Sequence, residues 1–188
     1  KFQEVAFPGQ PMGRPVLGTE QSLREMSRAS LMGYMKRHYA AGNTVLAAAG
    51  NLRHEAIVDL AARHFADLGG ANISPSLPSR YEGGEFREGR DLDQVHLVLG
   101  FPSVSYNDPD YYPTMLLSTL LGGGMSSRLF TEVRERRGLA YYVFAGHAGY
   151  ADAGSLQVQA GVDTKRIDLA IATIWAELRS EEHTSELQ

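Results

Sequence analysis

The period of apolar and polar positions changes several times along this chain, and each change marks an expected element. Residues 1–18 hold no sustained period and are punctuated by Pro8, Gly9, Pro11, Gly13 and Pro15, which predicts an extended or looped connection. From Thr19 to about Ala40 the pattern is helical, with a break near Ser27 where a second cap is available. Leu31, Tyr34, Met35 and His38 then share a face. Residues 44–49 form a short apolar run expected to be a strand, and Gly50 and Asn51 turn the chain. A helix follows from about Arg53 to Leu68, with Ile57, Leu60, Ala61, His64 and Phe65 as its stripe.

The segment 69–89 contains Gly69, Gly70, Pro75, Pro78, Gly83 and Gly84 and reads as a linker. Beyond it Val95, Leu97, Leu99 and Phe101 alternate, as on one face of a strand. Asp108 is placed to cap a helix with Pro109 in its first turn, running to about Leu121. Residues 141–150 and 155–162 should pair as a hairpin across 151–154. Thr164 is expected to cap a last helix carrying Ile167, Leu169, Ala170, Ile174 and Leu178.

The most specific stretch is 120–143. Gly122, Gly123 and Gly124 break the preceding helix, because glycine loses the most backbone entropy in one. Ser126 or Ser127 can cap the next helix, whose buried face is Leu129, Phe130 and Val133. Arg136 and Arg137 suit the negative end of its dipole, and Gly138 can supply the left-handed residue that ends it. Arg134 near the helix end and Tyr141 at the following strand can then converge across one tight turn.

Those residues resemble the second homologous domain of zinc metallopeptidases of the insulinase, pitrilysin and mitochondrial processing peptidase family. The likeness rests on the glycine cluster, the run Met125, Ser126, Ser127, Arg128, Leu129 and Phe130, and an arginine seven positions before a tyrosine. It extends over residues 7–178. The resemblance implies an α+β fold, built of homologous α/β-sandwich domains with mainly antiparallel sheets. It divides the chain into the end of a first, zinc-type domain (1–72), a linker (73–91) and most of a second, substrate-binding domain (92–178). It assigns Arg134 and Tyr141 the task of holding the substrate backbone and stabilising the carbonyl oxygen under attack. A guanidinium and a phenol can both donate to an oxygen gaining charge.

The family's metal site is an inverted His-x-x-Glu-His helix with a more distant glutamate ligand. None of His38, His54, His64, His96, His147 and His183 has a second histidine four residues away. His54 and Glu55 begin the ordinary zincin pattern, but Val58 ends it. The expectation is therefore no metal ligands in this segment, with zinc belonging to the complete parent and its helix encoded upstream of Lys1. The tail 179–188 matches the in-frame translation of a common sequencing-library adapter at all ten residues, and is expected to be an artefact. Within it, Arg179 stands where the inverted motif needs a histidine, and arginine stays protonated.

Composition adds little. The 188 residues include 43% hydrophobic and 21% charged positions, enough for one or two small domains. A formal charge of −4 gives no basic surface for nucleic acid or membrane, and no apolar run has spanning length. The absence of cysteine excludes disulfides and thiolate chemistry. A bacterial cytoplasm is the expected compartment, with the periplasm left open. The glycine run lacks the lysine and serine of a P-loop and the dinucleotide spacing. His96 and His147 are expected to be hydrogen-bonded structural groups, His38 and His64 satisfied core residues, and His54 solvent-facing. Tyr111, Tyr112, Tyr141 and Tyr142 are expected mainly to pack. The implied partners are a peptide substrate and a second subunit in a homo- or heterodimer.

Two function classes follow from the resemblance. In one, the parent is a zinc-dependent endopeptidase that cleaves peptides or unfolded segments in a closed chamber, and this fragment alone is inactive. In the other, it is a non-catalytic partner or a core-type structural subunit of the same family.

Overall fold

The computed structural model describes residues 1–70 and 77–180. In chain order the elements are α1 (Phe2–Ala6), α2 (Glu20–Glu25), α3 (Arg28–His38), α4 (His54–Phe65), β1 (Val95–Ser103), α5 (Tyr111–Gly122), a π-helix (Phe130–Arg136), β2 (Ala140–Gly149), β3 (Gly154–Val162) and α6 (Ile167–Arg179). They form two compact units, one of Val16–Leu77 and one in which Lys1–Pro15 joins the residues from Pro78 onward.

The larger unit is built on a three-stranded antiparallel sheet of order β1-β3-β2. β2 and β3 are the expected hairpin, closed by the Tyr150 N–H on the Ala153 carbonyl. β1 lies against the other side of β3, with Leu97 opposite Ala160 and Leu99 opposite Val158. Pro102 is tolerated in β1 because that strand is an edge, where a missing N–H need not interrupt a ladder. Alternation sends Val143 and Ala145 from β2, and Val158, Ala160 and Val162 from β3, to one face. There they meet Leu129 and Val133 from the π-helix segment and Ala170 and Ile174 from α6, forming the core. The α+β class and antiparallel sheet agree with the expectation.

The N-terminal segment departs from it. Phe2–Ala6 is a helical turn and Pro11–Gly13 a 3₁₀ turn, not a loop throughout. Phe7 is fully buried, packing edge-on against Tyr81 at 5.6 Å. The Glu82 N–H donates to the Ala6 carbonyl, and the Gln10 side chain receives the Arg80 N–H and donates to the Arg80 carbonyl. Burial raises the Tyr81 phenol above its ordinary pKa. Residues 80–82 of the expected linker are thus pinned to the N-terminal segment. Of residues 1–72, Lys1–Pro15 fall in the larger unit and those from Val16 onward in the smaller.

In the smaller unit Thr19 and Ser27 cap α2 and α3, each side chain accepting from the backbone N–H three residues on. α4 matches the expected third helix within three residues at either end. The expected strand at 44–49 is not formed. Thr44 is extended, but the segment pairs with no strand among the described residues. A strand is stabilised by its neighbour's hydrogen bonds, so an apolar run supplies only half of what it needs. His38 and His64 are exposed rather than core residues, and His38 stacks on Tyr34 at 4.4 Å.

Three caps also moved. Asp108 accepts from the Asp110 N–H in a turn before α5, which starts at Tyr111 rather than after Asp108. Asp163, not Thr164, accepts from a backbone N–H before α6. The Ser127 hydroxyl donates to the Gly124 carbonyl at 2.6 Å instead of capping. The tail expected to be an artefact begins at the last residue of α6, and residues 181–188 lie outside the described residues.

Candidate functional site

Arg134 and Tyr141 flank a short turn, and each lies at a backbone irregularity. The segment around Arg134 is a seven-residue π-helix where an α-helix was expected. Such wide turns are uncommon and recur at functional positions. Gly138 has φ +57°, as the sequence required, and its N–H donates to the Arg134 carbonyl. The Leu139 N–H reaches back to the Val133 carbonyl at 2.8 Å, and the Leu139 side chain is buried. This anchors the exit from the helix. β2 then begins with a bulge: Ala140 pairs with Val162 and Tyr142 with Gly161, leaving Tyr141 without a partner on β3. A bulge re-aims the extra side chain away from the regular alternation. Tyr141 is 61% exposed.

The charges around the turn are distributed unequally. Glu132 receives Arg137 at 2.7 Å and Arg136 at 3.2 Å, and the Arg137 hydrogen bond is the main cause of its lowered carboxyl pKa. Arg128 donates to the Glu177 carbonyl and carboxylate and so holds the C-terminal end of α6. Arg134 has neither kind of partner among the described residues. Its guanidinium lies over the Phe130 ring, 4.6 Å from the centroid. Nor does the Tyr141 hydroxyl bond to any described residue. The structure places both side chains at one turn and records no hydrogen bond between them.

The glycine cluster has a packing explanation. A Cβ on Gly122 would come within 2.3 Å of the Ala145 backbone nitrogen, so α5 can meet β2 only with glycine there. Gly123 is similarly pressed on Thr119. Together with Met125, Phe130, Val143 and Phe144, the three glycines line a shallow hollow of about 200 Å³. Phe130 thus lies between this hollow and Arg134. Phe130, expected on the buried face of its helix, also serves as the stacking partner of Arg134, and its place four residues before that arginine is the sequence signal for it.

The remaining candidates fall into place around this geometry. His96 shares a 3.1 Å contact with the Tyr142 hydroxyl, and His147 one of 3.1 Å with the Val104 carbonyl, in line with structural roles. Tyr112 is exposed and Tyr111 half-buried against Tyr106 and His147, so tyrosine packing is looser than expected. Among the described residues no three His, Asp or Glu side chains gather as a metal site. The described residues therefore do not fit the zinc that the family implies. None of the described helices is long and apolar enough to cross a membrane.

The family model described as "Peptidase M16 inactive domain" matches residues 25–185. The chain belongs to this family, as the motif at 120–143 implied. A protein of Rickettsia felis named an uncharacterized zinc protease is 37% identical over 182 residues, covering 96% of this chain and 43% of that protein. One of the same description from Mycobacterium tuberculosis is 39% identical over 165 residues, covering 85% and 38%. The chain thus spans less than half the length of these relatives. Among solved structures, a peptidase M16 inactive domain from Pseudomonas fluorescens superposes with a TM-score of 0.80 at 25% identity, over 98% of this chain and 47% of that one. A chain of Complex III2 from Candida albicans shares the fold, at a TM-score of 0.80 and 21% identity over 94% and 44%.

Proposed function

We propose that this segment is the substrate-gripping part of a zinc-dependent endopeptidase acting on peptides or unfolded segments within a closed chamber. Arg134 and Tyr141 donate hydrogen bonds to the substrate backbone and to the carbonyl oxygen as it gains negative charge. The observation that carries this reading is the free state of their donors. In a turn where Arg136 and Arg137 are bound to Glu132, Arg134 keeps its guanidinium unpaired by any described carboxylate, with only an aromatic face beneath it. The ring restricts the side chain without satisfying its N–H groups, so they stay available to a ligand. Tyr141 is exposed for the same use. The metal of the parent is held by residues outside those described, and this segment on its own turns over no peptide.

Replacing Tyr141 with Phe in the complete protein tests this. Turnover of an unfolded peptide should fall by roughly 10²–10³, the usual effect of losing one oxyanion donor, while zinc content stays constant. Unchanged turnover would remove the hydroxyl from the mechanism.

A further inference from the structure

One guanidinium far along the chain is bound to the turn between the two candidate residues. Arg166 donates from Nη1 to the Gly138 carbonyl and from Nη2 to the Arg137 carbonyl, both at 2.9 Å. These are peptide oxygens of the helix exit, which no residue of the π-helix itself satisfies. Arg166 comes from the 3₁₀ turn Thr164–Arg166, which directly follows β3. The last residue of that strand, Val162, pairs with Ala140, the residue before Tyr141. The Arg166 N–H donates to the Asp163 carbonyl, and Asp163 accepts from Lys165, so the base of the side chain is itself fixed. A planar fork held in this way can hold two successive peptide planes in one orientation, which a single ammonium cannot.

We infer that Arg166 is a positioning residue for the Arg134 and Tyr141 pair, acting through the carbonyls of the turn that joins them; the inference rests on the function proposed above. The turn needs an external brace because Gly138, at φ +57°, has the freest backbone in it. On one side the turn is anchored by the buried Leu139, and on the other by Glu132 gripping Arg137. Neither anchor touches the two peptide oxygens that Arg166 holds. Releasing them would let the Gly138 peptide planes rotate and change the separation of the guanidinium from the phenol. Catalytic donors displaced by about 1 Å can lose up to 10²-fold in rate. Arg166 itself touches no substrate.

The experiment is a double-mutant cycle in the complete protein, with Arg166→Met, Tyr141→Phe and the pair assayed for peptide turnover. Arg166→Met should lower kcat/KM by about tenfold to a hundredfold, with most of that loss absent in the Tyr141→Phe background. Arg166→Lys, which keeps the charge but not the fork, should recover only part of the rate. Equal losses in both backgrounds, or full rescue by lysine, would overturn the inference. If Tyr141→Phe alone is silent, the proposed function fails first and the two failures are told apart. A readout independent of activity is hydrogen exchange at the Gly138 and Leu139 amides of this chain. Arg166→Met should accelerate it, and unchanged protection would refute the brace whatever the assay shows.

Discussion

The two compact units put similar amphipathic patterns to different use. In the unit containing the sheet, Leu129, Val133, Val158, Val162 and Ile174 are all at 0% exposure. In the Val16–Leu77 unit, α2, α3 and α4 contain no buried residue, and Phe65 on the apolar stripe of α4 is 48% exposed. Tyr34, His38, Val45, Phe65 and Leu68 surround an open hollow of about 590 Å³. Both regions have helices with apolar faces, but among the described residues only the sheet-containing unit supplies a second layer to cover them. An apolar stripe sets which way a helix would face, and burial requires another element within reach.

Core truncation should break the symmetry between the units most clearly. Ile174→Ala should cost about 2–5 kcal/mol in denaturant unfolding, through lost burial and the cavity left behind. Phe65→Ala should cost well under about 1 kcal/mol, because its ring is half in water already. Comparable losses would mean that a layer covers α4 in solution. Glycine replacements sharpen the contrast with opposite signs. Gly122→Ala would drive a methyl into the Ala145 backbone and should destabilise by about 1–3 kcal/mol. Gly33→Ala meets nothing within 4 Å in α3 and should stabilise by about 0.5–1 kcal/mol. Thermal melting of the two variants, moving in opposite directions, is the check.

The smallest effect concerns pH and is confined to the sheet-containing unit. Glu132 is held below the ordinary glutamate range, chiefly by the hydrogen bond from Arg137 and then by Arg136. A carboxyl with a depressed folded pKa stabilises the fold fully above its unfolded pKa. That contribution fades as pH falls through the lower folded value. Solvent around the two exposed arginines keeps it modest. Stability measured between neutral and acid pH should therefore decline less steeply in Glu132→Gln than in the parent chain. Identical slopes would show that the cluster has no energetic weight.

Much of the site was legible in the chain itself. Gly138 as the left-handed residue, the hairpin that follows it, and Arg134 and Tyr141 on either side of one turn all depend on local backbone preferences. Local preferences are written in neighbouring residues. The π-helix, the bulge that frees Tyr141 and the stacking of Arg134 on Phe130 were not legible. Each depends on how a few backbone hydrogen bonds are shared once Leu139 is buried and β2 is registered against β3. The cap expected at Thr164 moved to Asp163 for a related reason, since adjacent polar residues compete for the same N–H groups with little difference in intrinsic preference.

The sequence by itself determined the family, the α+β composition and the identity of the two residues proposed to meet substrate. Period, turn chemistry and a spaced motif are properties of the chain alone. Tertiary structure decided which apolar faces are covered, that residues 44–49 form no strand, and that Lys1–Pro15 belongs with the sheet. It also brought Arg166 onto carbonyls 28 and 29 positions away. Burial, strand pairing and long-range hydrogen bonds each need a partner distant in sequence, and nothing in a local pattern names that partner.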